Sequence, residues 1–172
     1  TPLEEVGKRT DGLSTILVDM REAVGNGMEI QGIPTMINHS TNSVFFDDLK
    51  VPAENLIGEE GKGFRYILDG MNAERVLVAS ESLGDGRWFT EKAVAYANER
   101  EVFGAPIGTN QGIQFPIARH YASLKAAELM VRQAAALFDA GQPCGAEANM
   151  AKMLSSEAAW ELADVCMQTY GG

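Results

Sequence analysis

Residues 59–172 carry helical patterns that two short Gly- and Pro-containing segments interrupt, at 103–108 and 140–143. We predict helices over four segments: 61–71, 72–100, 110–140 and 145–169. Helices that are joined by short loops pack antiparallel to one another. The fold class is therefore predicted to be mainly α, with an antiparallel four-helix bundle in this part of the chain.

Gly70, Gly84 and Gly86 need an explanation, because they fall within helical patterns. Gly70 marks the junction between the first two helices, whereas Gly84 and Gly86 lie within the second one. A glycine in a helix interior costs roughly 1 kcal/mol relative to alanine. We therefore expect a neighbouring helix to approach closely at Gly84 and Gly86.

The third predicted helix has clear signals at both ends. Thr109 or Asn110 can supply its N-cap. Pro116 follows within the helical pattern and should either kink the helix or delay its start. Gly141 and Pro143 should end it, because a glycine just past a helix and a proline beyond it form a typical stop signal.

The residues before the helical region carry strand signals. Residues 13–18 and 42–47 are short apolar runs with β-branched or aromatic members, bounded by polar turn residues. This β portion is too small to close a sheet by itself, so we predict a partial β-barrel or sheet segment before the bundle. The predicted domains are 1–58, the end of a β domain, and 59–172, a helical domain.

Composition excludes several classes of protein. A formal net charge of −10 argues against a nucleic-acid binder, which needs a basic surface. No apolar run approaches the roughly 18 residues of a membrane span, and the start shows no secretory segment. Cys144 and Cys166 are expected to be reduced and packed, and the isolated His39 and His120 predict no metal site. The helical pattern that runs into Gly171 suggests a fragment of a longer protein.

Two charged residues fall on an apolar helix face. On a helical wheel, Glu74 and Arg75 lie within about 60° of Met71, on the stripe formed by Phe64, Ile67, Leu68 and Val78. A carboxylate on such a face is either half of a buried ion pair or a base with a tuned pKa, because burying a lone charge is costly. Periodicity alone favours the structural ion pair.

A second candidate site combines Arg100, a Gly-containing loop and the start of the next helix. Free N–H groups and the helix dipole favour an anion such as a phosphate there, although an ordinary helix connection is the simpler interpretation. Gln168 with Gly171 and Gly172 could also approach a ligand closely, or could simply end the last helix.

Together these segments resemble the acyl-CoA dehydrogenases, and the resemblance covers essentially the whole chain. The most specific motif is Arg-x-x-Phe-Gly-x-Pro-Ile followed by Gln, which begins at Arg100 and ends at Gln111. The other matching segments occur in the family's order: 42–48, 51–52, 55–58, 61–64, 74–75, 168 and 171–172.

The resemblance implies an FAD enzyme that desaturates an acyl-CoA thioester between Cα and Cβ. In such enzymes a glutamate takes the α-proton, and an electron-transferring flavoprotein receives the electrons. Homodimers or homotetramers are typical of the family, and part of each FAD site comes from a neighbouring subunit. The parent enzyme would be cytoplasmic in a bacterium or in the mitochondrial matrix of a eukaryote, it would act in fatty acid metabolism, and it would not be secreted.

The resemblance also assigns roles to individual residues. Glu74 matches the catalytic base of the isovaleryl- and long-chain branch, whereas many members carry the base on a later loop. Arg75 matches a residue of the CoA-ester channel, with Asn72 close to it. The positions that match contacts to the ADP part of FAD are Arg100, Val102, Phe103, Gln111, Gln168, Gly171 and Gly172.

Two expectations qualify these roles. Val102 departs from the Gln or Thr that is frequent in the family, so a hydrogen bond to the cofactor is expected to be missing. The 172 residues alone are expected to be inactive, because they cannot enclose the flavin ring and exclude water. The competing hypothesis is a non-catalytic relative that acts as a binding or oligomerisation module.

Overall fold

The computed structural model describes residues 7–37 and 40–172, and His39 lies outside these residues. The chain forms two compact units that divide between Leu68 and Asp69. The predicted division at residue 58 stays a prediction.

The first unit contains two antiparallel strand pairs. Strand β2 (Met28–Ile33) pairs with β3 (Thr41–Phe46), and β1 (Thr15–Ile16) pairs with β4 (Leu56–Ile57). The short helix α1 (Met20–Ala23) lies between β1 and β2 in sequence. The predicted strand at 42–47 is confirmed, whereas the one at 13–18 shortens to two residues. Strand β2 was missed, because its alternating pattern lies among glycines that resemble turn signals.

Helix α2 (Gly63–Glu99) is a single helix of 37 residues. The predicted junction at Gly70 is therefore wrong, since the helix continues through it. The lone glycine costs only about 1 kcal/mol, which the helix-forming residues on both sides outweigh. No atom lies within 4 Å of a Cβ built at Gly70, among the residues that the structure describes.

Helices α3 (Gln111–Asp139) and α4 (Gly145–Tyr170) complete the second unit. Gly108, just before α3, approaches Ala97 near the end of α2, so α3 runs antiparallel to α2. Gly145 lies beside Asn72, and the Tyr170 ring stacks on Tyr96 at 4.0 Å, so α4 runs parallel to α2. The prediction of a mainly helical fold is confirmed. Within the described residues, α2, α3 and α4 are the long helices of the bundle.

The core of the second unit consists of small and branched side chains from all three long helices. Leu124 on α3 and Leu162 on α4 are almost completely buried, each 1% exposed. Gly86 on α2 faces both: a Cβ built there lies 2.6 Å from Leu124 Cδ1 and 3.3 Å from Leu162 Cδ1. The predicted close approach at Gly86 is therefore confirmed. At Gly84 it is wrong, since the described chain places nothing within 4 Å of a Cβ there.

The ends of α3 and α4 follow the sequence signals only in part. Asn110 occupies the N-cap position of α3, but its side-chain amide donates to the Ile107 carbonyl oxygen at 3.1 Å and does not cap the helix. Pro116 lies inside α3 and does not delay its start. Gly141 adopts φ 65° just past the helix, as its position predicts. Cys144 and Cys166 are free and buried, which confirms the predicted packed thiols.

A charge cluster that the sequence did not reveal joins α2 to α3. The carboxylate of Glu128, only 9% exposed, lies 2.5 Å from Lys125 Nζ, 2.7 Å from Arg132 Nη2 and 3.0 Å from Arg87 Nη2. Hydrogen bonds from Lys125 and then Arg132 lower the pKa of Glu128 from 4.5 to about 2, against the opposing effect of burial. The contact from Arg87 crosses between helices, so this cluster ties α3 to α2.

Replacing Glu128 with Gln is expected to lower the midpoint of thermal unfolding at neutral pH. The pKa of Glu128 is lower in the folded than in the unfolded protein. The ionised carboxylate therefore stabilises the fold fully above pH 4.5, and this stabilisation is lost as the pH falls toward about 2. The difference between wild type and Glu128→Gln should therefore shrink over that window. Circular dichroism melts at several pH values measure it, with Glu157→Gln on an exposed face as the control. A difference that does not change with pH would contradict this account.

Candidate functional site

Glu74 and Arg75 line a cavity between α2 and α4. Its volume is about 520 Å³. Successive turns of each helix supply the lining, at i, i+3, i+4 spacing. The lining residues are Met71, Glu74, Arg75 and Val78 from α2, and Asn149, Lys152 and Met153 from α4. A mixed apolar and charged cavity of this size is suited to a small organic ligand with a polar group.

The Glu74 side chain is exposed rather than buried. The prediction that its helix face is buried is wrong for the described residues, since Ile67 is 49% exposed and Met71 is 38% exposed. No cation of the described chain lies within 4.0 Å of the Glu74 carboxylate, so the buried ion pair is not formed. The carboxylate is therefore open to a ligand in the cavity.

Asn72 holds Arg75 from one turn earlier on α2. Arg75 Nη1 donates a hydrogen bond to Asn72 Oδ1 at 3.3 Å. The Asn72 amide in turn faces Gly145 at the start of α4, where a Cβ would lie 3.8 Å from Asn72 Nδ2. Asn72 thus packs at the point where the two helices meet, and it orients the guanidinium beside the cavity.

The second group of predicted site residues surrounds a tight hairpin after α2. Strands β5 (Glu101–Val102) and β6 (Ala105–Pro106) are joined by Phe103 and Gly104, with φ of 57° and 81°. Two consecutive positive φ angles fit a type I′ turn, in which the phenylalanine is strained and glycine is favoured. The turn leaves the Phe103 side chain completely exposed. A ring held in this way is available to contact a ligand.

A third group lies at the end of α4. The N–H of Gly171 donates to Gln168 O at 3.1 Å, and the N–H of Gly172 donates to Met167 O at 3.1 Å. With Gly171 at φ 107°, this pair of bonds is a Schellman motif. Both roles of the Gly pair are thus compatible: it ends the helix, and it leaves Gln168 and the glycine backbone exposed.

The structure brings the second and third groups to one end of the helical unit. Tyr170 stacks on Tyr96, and its hydroxyl donates to Lys92 O at 3.4 Å, which fixes the end of α4 beside the end of α2. All the predicted nucleotide-contact residues at this end are exposed: Arg100, Val102, Phe103, Gln111, Gln168, Gly171 and Gly172. No carboxylate of the described residues lies within 4.0 Å of Arg100, so its charge is available for an anion.

The Glu74 cavity lies far from this end. The helix rises about 1.5 Å per residue, so Glu74 and Arg100 are separated by roughly 40 Å along α2. The predicted site residues therefore form two separate groups on one chain. They do not surround a common ligand within it.

Sequence reasoning missed the α4 side of the cavity. Asn149, Lys152 and Met153 have the helical spacing of a shared face, but nothing in the sequence indicates which face of α4 meets α2. The described residues contain no group of three or more potential metal ligands and no helix long and apolar enough to span a membrane. The expectation of no metal site stays a prediction.

Comparisons with known proteins agree on one family. The model of the acyl-CoA dehydrogenase C-terminal domain matches residues 61–172. An acyl-CoA dehydrogenase of Bacillus subtilis is 41% identical over 133 residues, which cover 77% of this chain and 35% of that protein. Subunit CarC of the caffeyl-CoA reductase-Etf complex of Acetobacterium woodii is 36% identical over 169 residues, covering 98% of this chain and 44% of that protein.

Solved structures show the same likeness. Butyryl-CoA dehydrogenase from Megasphaera elsdenii superposes with a TM-score of 0.89 at 30% identity, covering 98% of this chain and 44% of that one. A complex of PigA with FAD and proline gives a TM-score of 0.88 at 28% identity, covering 95% of this chain and 43% of that one. The chain thus spans less than half the length of these relatives.

Proposed function

This chain belongs to the acyl-CoA dehydrogenase family, and we propose that it is part of a longer FAD-dependent enzyme that desaturates an acyl-CoA thioester between Cα and Cβ. The family is one of flavin-dependent oxidoreductases. The 172 residues comprise the end of a β domain and most of a C-terminal helical bundle. The cavity that presents Glu74 and Arg75 together is the observation that carries this proposal.

The residues that line the cavity have different roles in this proposal. The Glu74 carboxylate accepts the α-proton of the bound thioester, which requires it to be ionised and open to the ligand. Arg75, oriented by Asn72, binds the polar CoA-ester portion in the channel. Met71, Val78 and Met153 supply the apolar surface against which the acyl chain packs. FAD, when bound, supplies the acceptor for the hydrogen that leaves Cβ as hydride.

The residues at the opposite end of α2 fit the ADP part of FAD. They combine the Arg100 cation, which has no carboxylate within 4.0 Å among the described residues, with an exposed ring at Phe103 and the N-terminal N–H groups of α3 near Gln111. Such groups suit a diphosphate and its adenosine. Because this group lies roughly 40 Å from Glu74 along the helix, it serves the FAD of a neighbouring subunit. Val102 brings no side-chain hydrogen bond to this site.

Assembly and electron transfer follow from the same proposal. Large apolar side chains of the long helices are exposed on this chain, with Trp160 76%, Leu129 70% and Leu77 69% exposed. Such surfaces support a homodimer or homotetramer. The electrons pass to an electron-transferring flavoprotein. The enzyme acts in fatty acid metabolism, in the bacterial cytoplasm or the mitochondrial matrix.

A second candidate is the reverse reaction, reduction of an α,β-unsaturated acyl-CoA. The name of the A. woodii relative, a caffeyl-CoA reductase subunit, favours it. The same side chains serve both directions, since Glu74 would then return a proton to Cα by microscopic reversibility. The choice depends on the redox partner and does not change the roles of the cavity residues.

Anaerobic titration of the full-length protein with saturated acyl-CoAs tests the proposal. We expect the absorbance of the oxidised flavin to bleach when a suitable saturated acyl-CoA is added. In a reductase, the electron donor would bleach this absorbance, and an enoyl-CoA would restore it. The 172-residue chain alone should show no turnover with an artificial electron acceptor, because it cannot enclose the reacting atoms. A full-length protein that binds neither flavin nor any acyl-CoA would favour the non-catalytic module, and turnover by the isolated chain would contradict the predicted inactivity.

A further inference from the structure

The two groups of nucleotide-contact residues are joined by one pair of aromatic rings. The ring of Tyr170, the last residue of α4, stacks on that of Tyr96 on α2, with centroids 4.0 Å apart and planes at 20°. The Tyr170 hydroxyl also donates to Lys92 O at 3.4 Å, one turn earlier on α2. Tyr96 is half-buried and Tyr170 is 50% exposed, so the stack lies at the edge of the bundle rather than in its core.

The Gly171–Gly172 pair extends into open space beyond α4 in the part of the chain that the structure describes. Apart from the chain neighbours, no described atom lies within 4 Å of a Cβ built at either glycine. The two N–H groups bond back to Gln168 O and Met167 O, within the same helix. The position of the glycine pair therefore depends on the last turn of α4, which the Tyr170 ring fixes against α2.

The hairpin of β5 and β6 begins just after Tyr96. The Arg100 N–H donates to Tyr96 O at 2.8 Å, and the Ile107 N–H donates to Arg100 O at 2.8 Å. The first of these bonds completes the last turn of α2, and the second closes the base of the hairpin. The completely exposed Phe103 ring projects from the turn of this hairpin. The backbone of Tyr96 thus supports the hairpin, while its ring supports the end of α4.

The start of α3 is held by the next residue of α2. A Cβ built at Gly108 would lie 2.9 Å from Ala97 O, so the two backbones are in close contact. Side chains of consecutive helical residues point about 100° apart, so Tyr96 and Ala97 face different neighbours. The turn of α2 that contains both residues is therefore the common support of the hairpin, of Gln111 at the start of α3, and of the end of α4.

We propose that Tyr96 is a positioning residue for the ADP part of FAD. By holding Tyr170, its ring keeps Gly171 and Gly172 at a fixed distance from the hairpin that carries Arg100. This inference rests on the proposed function, since the two groups serve one nucleotide only if the enzyme binds FAD. Groups that are held in place before binding do not have to be ordered by the ligand, and this raises the affinity.

The test is the affinity of the full-length apoenzyme for FAD, measured by isothermal titration calorimetry. Tyr96→Leu keeps an apolar, helix-forming side chain but removes the ring, and it should raise the Kd for FAD about 3- to 10-fold. Tyr96→Phe keeps the stack and should bind FAD like the wild type. The matched control is Trp88→Leu, which removes an exposed ring two turns earlier on α2 and should leave the Kd unchanged.

The chemical step separates positioning from a general loss of structure. At saturating FAD, an acyl-CoA should bleach the flavin of Tyr96→Leu at the wild-type rate, because Glu74 lies roughly 33 Å away along α2. A slower rate would mean that the ring supports the whole helical unit, and this result overturns the proposal. An equal rise in Kd for Tyr96→Phe also overturns it, since the stack would then not be the cause.

A double-mutant cycle tests the contact itself. Tyr170→Leu should weaken FAD binding by the same factor as Tyr96→Leu, and the double variant should lose no more than either single variant. Losses that multiply would show that the two rings act independently, which contradicts the proposal. Tyr170→Leu also gives the comparison with wild type from the more exposed ring if Tyr96→Leu does not fold.

The remaining outcomes distinguish this inference from the proposed function. A wild-type apoenzyme that does not bind FAD refutes both. If the wild type binds FAD and the two leucine variants bind it equally well, only the role of Tyr96 is refuted. A Kd of Tyr96→Leu that falls as the enzyme concentration rises would show that the ring acts on subunit assembly, and it also overturns the proposal.

Discussion

Replacing Glu74 with Gln in the full-length enzyme is expected to lower both kcat and kcat/KM by at least about 10²-fold. Glutamine keeps the size and the hydrogen-bonding capacity of the side chain, but a neutral amide cannot accept the α-proton. The flavin should stay bound, because the nucleotide-contact residues lie roughly 40 Å away along α2. Stopped-flow bleaching of the flavin by an acyl-CoA gives the rate of the chemical step, and the oxidised flavin spectrum reports cofactor content.

The matched control for this experiment is Glu81→Gln. Glu81 is an exposed carboxylate two turns further along α2, on nearly the same helix face, and outside the cavity lining. It should retain activity within a few-fold. If Glu74→Gln bleaches as fast as wild type, the base lies elsewhere in the full-length protein, and Glu74 is an exposed residue of the helix surface. Equal losses in both variants would indicate an effect of helix charge rather than proton transfer.

The sequence predicted the helices and strands of this fold better than it predicted which of their faces are buried. The long helices and the strand at 42–47 follow from periodicity and breakers, which act over a few residues. The exposure of Glu74 cannot be predicted from periodicity, because helical periodicity shows which residues share a face but not what covers that face. The stripe with Met71 is apolar in sequence and yet open in the described chain.

The roles of the candidate site residues stay predictions, but two local features beside them follow from neighbouring residues. The sequence predicted a loop at 103–108, which the structure folds as a hairpin, and a possible helix end at Gly171, which is a Schellman motif. The α4 side of the Glu74 cavity and the contact between Glu128 and Arg87 were not identified, because each brings together residues of two different helices. Long-range pairings of this kind depend on which helix faces meet, and a single sequence does not specify that.

Gly84 and Gly86 differ in their surroundings, although both lie inside α2 and only two residues apart. At Gly84 a methyl group meets nothing within 4 Å in the described chain, so Gly84→Ala should stabilise the helix by up to about 1 kcal/mol. At Gly86 the methyl would lie 2.6 Å from Leu124 Cδ1 and 3.3 Å from Leu162 Cδ1, so these two leucines, each 1% exposed, would have to shift within the core. Overpacking typically costs about 1–3 kcal/mol, which exceeds the gain in helix propensity.

We therefore expect Gly86→Ala to lower the free energy of unfolding by about 1 kcal/mol, roughly 2 kcal/mol below Gly84→Ala. Leu124→Ala should cost about 2–5 kcal/mol, because it empties a buried site. The double variant should be more stable than the sum of its parts, since the shorter side chain at 124 makes room for the new methyl. Urea unfolding of the four proteins measures this coupling, and strict additivity would show that Gly86 is not packed against Leu124.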